Sequence, residues 1–122
     1  MKDVVIVSAC RTAIGTLGGT LKDMIAARIA AVVMKEAIGR AGIDPFMIDD
    51  VRFGCCVENC NTLNTARVGA LLAGIPETVT AVTVNRVCIS GMEAILSGAA
   101  MINAPSACAA ADDPSGPLKT SD

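Results

Sequence analysis

Cys88 has the surroundings of a nucleophile. It lies in the run Val84-Asn85-Arg86-Val87-Cys88-Ile89-Ser90-Gly91-Met92-Glu93-Ala94, where a β-branched stretch ends at Asn85 and Cys88, Met92, Ile95, Leu96 and Ala99 follow at helical spacing. The apolar period changes from two to about 3.6 between Arg86 and Cys88, so the cysteine is expected where a helix begins. At a helix start the free N–H groups and the positive end of the dipole favour a thiolate over a thiol, and the thiolate is the reactive form. Ser90 and Gly91 follow at once, small enough for a substrate to approach the sulfur and for the helix to pack closely. The chemistry this arrangement serves is covalent catalysis through sulfur. A cysteine chosen blind is more often an inert core residue. What lifts Cys88 above that background is its place at a strand-to-helix junction.

Other chemistries find less support. The chain has six cysteines and no histidine. Cys55, Cys56 and Cys60 lack paired C-x-x-C spacing, and no histidine completes a mixed zinc site, so no metal is expected. Cys55 and Cys56 read as inert core residues of a strand. Gly15, Gly18 and Gly19 match neither dinucleotide nor P-loop spacing, and they read as a long turn. A net charge of −2 with no Trp, no Tyr and two Phe argues against nucleic acid, which needs a basic footprint or stacking platforms. No apolar run reaches the roughly 18 residues that a membrane helix needs. The apolar start lacks a small-residue cleavage site, so it is not read as a signal peptide. Reduced cysteines and a cytoplasmic location are therefore expected.

The elements that must position Cys88 follow from periodicity and punctuation. Residues 4–9 are an unbroken apolar run, the pattern of a central strand covered on both faces. Residues 11–20 are loop by composition. Ala26, Ile29, Ala30, Val33, Met34, Ala37, Ile38 and Ala41 fall on one face of a helix, with Gly42 suited to the left-handed position after it and Pro45 preventing continuation. Residues 51–57 read as a second strand. Asn64 is placed to cap a helix carrying Val68, Leu71, Leu72 and Ile75, ended by Gly74 and Pro76. Arg67 on that helix reads as a solvated or capping charge. Residues 78–85 are the third strand. The order βαβαβα predicts an α/β fold with a largely parallel sheet and right-handed crossovers, and a site at the carboxyl ends of the strands. Residues 1–103 form the expected domain. From 104 to 122 the composition turns to Ala, Pro, Ser, Gly and Asp, and disorder is expected.

Three stretches also carry a family resemblance. Asn85-x-x-Cys88-x-Ser90-Gly91-x-x-Ala94 resembles the active-site segment of the thiolases, acyl-CoA C-acyltransferases that join or split 3-ketoacyl-CoA. Val4-Val5-Ile6-Val7-Ser8-Ala9-x-Arg11-Thr12-x-Ile14-Gly15 is similar to the start of that family, and Asn64-x-Ala66-Arg67 to its middle. The matches run in order from residue 1 to about 100. They imply an incomplete N-terminal half-domain of a thiolase-like fold, with Cys88 as the acyl-accepting thiolate and its backbone N–H, Ser90 and Gly91 supporting the site. The resemblance further implies acyl-CoA and CoA as substrates, no bound cofactor, and a homo-oligomer, dimer or tetramer, formed through the third strand at residues 80–85. The family takes its general base from a Gly-His-Pro stretch and a second cysteine from a Cys-x-Gly-Gly segment. Cys108 sits in Ser-Ala-Cys-Ala-Ala-Ala without those glycines, and histidine is absent. The chain alone is therefore expected to lack turnover. The alternative is a non-catalytic truncated subunit that acts as an oligomerisation module. Ketoacyl synthases also place a cysteine at a helix start, but the Asn85 to Gly91 pattern fits thiolase better.

Overall fold

The structure is a computed structural model that describes residues 3–60 and 62–104. Helix α1 (Ala26–Ala41) runs uninterrupted until Gly42, whose φ of 65° lets its N–H reach the carbonyls of Ile38 and Gly39. That left-handed stop is the one expected from the sequence. On its exposed face Glu36 accepts from Arg40 Nε at 2.7 Å. This contact raises the already high pKa of Arg40, so its guanidinium stays charged at any working pH. A 3-10 turn (Pro45–Met47), opened by Asp44 accepting from the Phe46 N–H, leads into strand β1 (Asp50–Gly54).

Helix α2 (Thr65–Ala73) follows, capped by Asn64 and closed by Gly74 at φ 87°. Strand β2 (Thr80–Val84) and helix α3 (Ser90–Asn103) complete the described residues. β1 and β2 pair in parallel, with Val51 opposite Ala81 and Gly54 opposite Val84. The α/β class with parallel pairing is thus as expected. So are α1 and α2, and both strands form inside the stretches read for them except that β1 starts one residue earlier, at Asp50.

Small residues set the packing. Ala27 and Ala30 of α1 are fully buried against α2, where a Cβ added to Gly69 would lie 2.9 Å from the Ala30 Cβ. Such close approach lets the helix backbones carry the contact, with high packing density and little side-chain entropy to lose. Val51, Ala66, Ala70, Ile75 and Val79 form the buried core, flanked by Met34, Ile38 and Phe53.

Three expectations need correction. Residues 4–9 form no strand and do not pair with β1. They run beside it, tied by Arg40 Nη1 to the Ala9 carbonyl at 3.4 Å and by Cys10 Sγ to the Val33 carbonyl at 3.2 Å. Val5, Ile6 and Val7 are 70–78% exposed, because a run patterned for cover on both faces finds cover on neither among the described residues. An apolar cleft of about 530 Å³ opens between this segment, α1 and β1. Second, the stripe of Met92, Ile95 and Leu96 on α3 is exposed, and the helix instead lays Ser90 and Ala94 inward. Third, Cys55 and Cys56 are not core: β1 ends at Gly54, which leaves Cys56 exposed and Cys55 half-buried in the turn beyond it. The stretch expected to be disordered lies, from residue 105 on, outside the described residues.

Candidate active site

Between the end of β2 and the start of α3 the chain makes a tight turn that is hydrogen-bonded from several sides. Ile89 N–H donates to the Arg86 carbonyl at 3.3 Å and Ser90 N–H to the Val87 carbonyl at 3.2 Å. The Ser90 hydroxyl is buried beneath the turn. Its Oγ accepts from Arg86 N–H at 2.8 Å and donates to the Val87 carbonyl at 2.6 Å. Asn85 acts from the other flank, its Oδ1 accepting from Val87 N–H at 3.0 Å and its Nδ2 donating to the Cys56 carbonyl at 3.2 Å. Arg86 and Glu93 close an ion pair across the first turn of α3.

These contacts hold Val87 at φ 50°, the one non-glycine residue at positive φ among the described residues. For a β-branched side chain this conformation costs on the order of 1–2 kcal/mol, and it persists only where neighbours over-determine it. Cys88 is the next residue, and it is exposed. The first helical residue is Ser90, so Cys88 sits two positions ahead of the helix rather than within its first turn. No side chain caps α3 at Ile89, which leaves the N–H groups of its opening turn without a side-chain acceptor. A Cβ placed on Gly91 would meet nothing within 4 Å, so the space over that peptide is open.

The sheet fixes the height of this turn. A Cβ on Gly54, the last residue of β1, would lie 2.4 Å from the Ser90 carbonyl carbon and 2.5 Å from the Gly91 nitrogen. Only glycine permits that approach. The Cys55 N–H then donates to the Val84 carbonyl at 3.0 Å, carrying the pairing one step past the strand ends. Cys88, Ser90 and Gly91 are thereby brought together at the carboxyl end of the sheet, with Ser90 bracing the turn from below.

Gly54 reads in the sequence as a residue small enough for close packing, and the close approach of Ser90 and Gly91 is that packing. The positive φ of Val87 and the bridging role of Asn85 depend on a turn that periodicity does not encode. Arg67, which reads as a solvated or capping charge, does more. That guanidinium donates to the carbonyls of Glu77 and Val79, both at 2.7 Å, and locks the turn between α2 and β2. Among the described residues no group of three or more His, Cys, Asp or Glu is gathered to hold a metal ion, and no helix is long and apolar enough to cross a membrane.

Comparison with known proteins gives these features a context. Residues 4–110 match the family model described as "Thiolase, N-terminal domain". The chain is 50% identical over 103 residues to an acetyl-CoA acetyltransferase of Syntrophomonas wolfei, a match covering 84% of this chain and 26% of that protein. It is 44% identical over 104 residues to an acetyl-CoA acetyltransferase of Cupriavidus necator, covering 85% and 26%. The crystal structure of the Bacillus anthracis acetyl-CoA acetyltransferase superposes with a TM-score of 0.78 at 46% identity, over 80% of this chain and 25% of that one. The chain thus spans about a quarter of the length of the curated relatives it matches.

Proposed function

Because the chain belongs to the thiolase family, matching its N-terminal domain over residues 4–110, we propose that Cys88 is the thiol that accepts an acyl group from an acyl-CoA. The supporting observation is the strained Val87, which is held at positive φ immediately before an exposed cysteine and an uncapped helix. In the step, the Cys88 thiolate attacks the thioester carbonyl carbon and the carbon–sulfur bond to CoA breaks. CoA leaves as a thiolate and an acyl-cysteine remains. The Cys88 N–H, and the open backbone over Gly91, suit an oxyanion that develops in passing. The acyl group then goes to a carbanion of a second acyl-CoA in Claisen condensation, or arises from 3-ketoacyl-CoA in the reverse, thiolytic direction. Coenzyme A thioesters are the substrates in this reading and no cofactor takes part.

Acetyl-CoA incubated with the purified chain, followed by peptide mass spectrometry, tests the assignment. An acetyl group is expected on Cys88, removable by added CoA. Acetylation of Cys56 to the same extent, or none at Cys88, would sink it. With no histidine in the chain, no imidazole here activates the thiol, and general-base help of that kind is worth about a hundredfold or more. The chain by itself is expected to acylate slowly and not to turn over. Sustained condensation of acetyl-CoA by the purified chain would contradict this.

The exposed apolar face of α3 supports a second role, as an interaction module. Met92, Ile95 and Leu96, three and four residues apart on α3, are each 58–63% exposed, and clustered exposed apolar side chains mark a surface that can take a partner. Thr80 and Val82 leave the β2 edge open as well. A homo-oligomer, dimer or tetramer, using residues 80–85 fits this surface, in a compartment such as the cytoplasm where unbridged thiols are the resting state. Light scattering at micromolar concentration distinguishes the cases, and a clean monomer would remove the second role.

A further inference from the structure

We propose that Cys55 and Cys56 form a vicinal dithiol that low-molecular-weight disulfides oxidise to a ring-closed disulfide, and that ring closure loosens the turn carrying Cys88. Both thiols are free, Cys56 is exposed and Cys55 half-buried, and the pair sits just past the last residue of β1. Neighbouring Cα atoms across a trans peptide are about 3.8 Å apart, short of the roughly 4.4–6.8 Å that ordinary disulfides span. A bridge between adjacent cysteines is therefore strained and easily reduced, which suits a reversible modification rather than a permanent staple.

The backbone on either side of the pair is tied to the candidate active site. Cys55 N–H donates to the Val84 carbonyl at 3.0 Å, and the Cys56 carbonyl accepts from Asn85 Nδ2 at 3.2 Å. The same Asn85 side chain accepts from Val87 N–H at 3.0 Å and so helps hold Val87 at φ 50°. Closing the ring constrains ψ of Cys55 and φ of Cys56 and takes the Cys55 thiol away from the Val57 carbonyl, now 3.3 Å distant. The Cys56 carbonyl swings with that torsion and leaves Asn85. Val87 then relaxes, and Cys88 loses its fixed place ahead of α3.

The chemistry balances by exchange. The Cys56 thiolate attacks a disulfide R–S–S–R, forming a mixed disulfide and expelling one RS⁻. The Cys55 thiolate attacks the Cys56 sulfur and expels the second RS⁻. The two thiol protons pass to the two released thiolates, so two protein thiols are oxidised as one disulfide is reduced. The coupling to Cys88 rests on the nucleophile reading above, whereas ring closure does not.

Oxidised glutathione applied to the chain is the test. Mass spectrometry is expected to find the tryptic peptide 53–67 lighter by two hydrogen atoms and without a glutathione adduct. Cys55→Ser and Cys56→Ser should each lose that product and hold a glutathione adduct instead, while Cys60→Ser and Cys88→Ser should keep it. A two-hydrogen loss that survives Cys55→Ser, or stable adducts with no ring in the unmodified chain, overturns the proposal. Alkylation of Cys88 by iodoacetamide should slow several-fold on oxidation and recover with dithiothreitol. An unchanged rate on the ring-closed chain overturns the coupling. Failure of acetyl-CoA to acylate Cys88 would leave the mass readout intact, so the two readings fail separately.

Discussion

The helices α2 and α3 both begin at the carboxyl end of a parallel strand, and they treat their first turns in opposite ways. At α2 the Asn64 Oδ1 accepts from Arg67 N–H at 3.0 Å and from the Thr83 hydroxyl at 2.8 Å, while Thr83 Oγ1 takes the Ala66 N–H at 3.0 Å. Two side chains thereby consume the backbone donors, and Asn64 Nδ2 reaches across to the Ala81 carbonyl at 3.1 Å. At α3 the side chains of Asn85 and Ser90 bind the turn before the helix rather than the helix itself. The first turn of α3 receives no side-chain cap at Ile89, and its Ser90 N–H turns back to the Val87 carbonyl. Absence of a cap is not sufficient, since α1 also starts uncapped at Ile25. What distinguishes α3 is the combination with a strained residue and an exposed sulfur. Polar side chains spent on closing a junction give stability; the same kind of side chains spent on bending one hold a strained residue beside an exposed thiol.

The contrast is open to several substitutions. Gly54→Ala has the largest expected effect, because the new Cβ meets backbone at 2.4 Å and α3 must shift: about 3 kcal/mol of stability lost in urea unfolding, with Cys88 alkylation slowed as well. Wild-type stability in that variant would mean that the strand does not set the position of the turn. Arg67→Met follows, at about 2–3 kcal/mol for two charge-assisted bonds to carbonyls, with Cys88 alkylation unchanged if the two junctions are independent. Asn64→Ala should cost about 1–2 kcal/mol by the same measurement and again leave the thiol's rate alone. Val87→Gly separates stability from reactivity most directly. Relief of the positive φ is expected to raise stability by about 1 kcal/mol while iodoacetamide labels Cys88 more slowly. Faster labelling in that variant would show that the strain has no role in presenting the sulfur.

Much of the closed half was legible in the sequence, because its signals are local. Gly42, Asn64 and Gly74 each mark a helix end by their own backbone or side-chain preference, and each stands where it was expected. Contacts between distant residues were harder to read. Arg67 reaches carbonyls ten and twelve residues away, which no window of periodicity contains. The apolar run at residues 4–9 and the stripe on α3 report the cover these segments are patterned for, and the described residues do not supply it. Cys88 stands out by its neighbours in sequence, yet its place two residues before α3 follows from the φ of Val87, a property of the folded turn.

The Arg67 clamp also bears on the order in which the chain takes shape as it leaves the ribosome. Every partner in the Asn64, Arg67 and Thr83 network, and the core cluster of Val51, Ala66, Ala70, Ile75 and Val79, has been synthesised once Val84 is in place. Residues 85–90 are then laid onto a surface already built, so the fit of Ser90 against Gly54 is imposed late by a finished platform. A nascent chain stalled so that Asn85 has just cleared the exit tunnel is accordingly expected to protect α2 amides from hydrogen exchange before any of α3 has emerged.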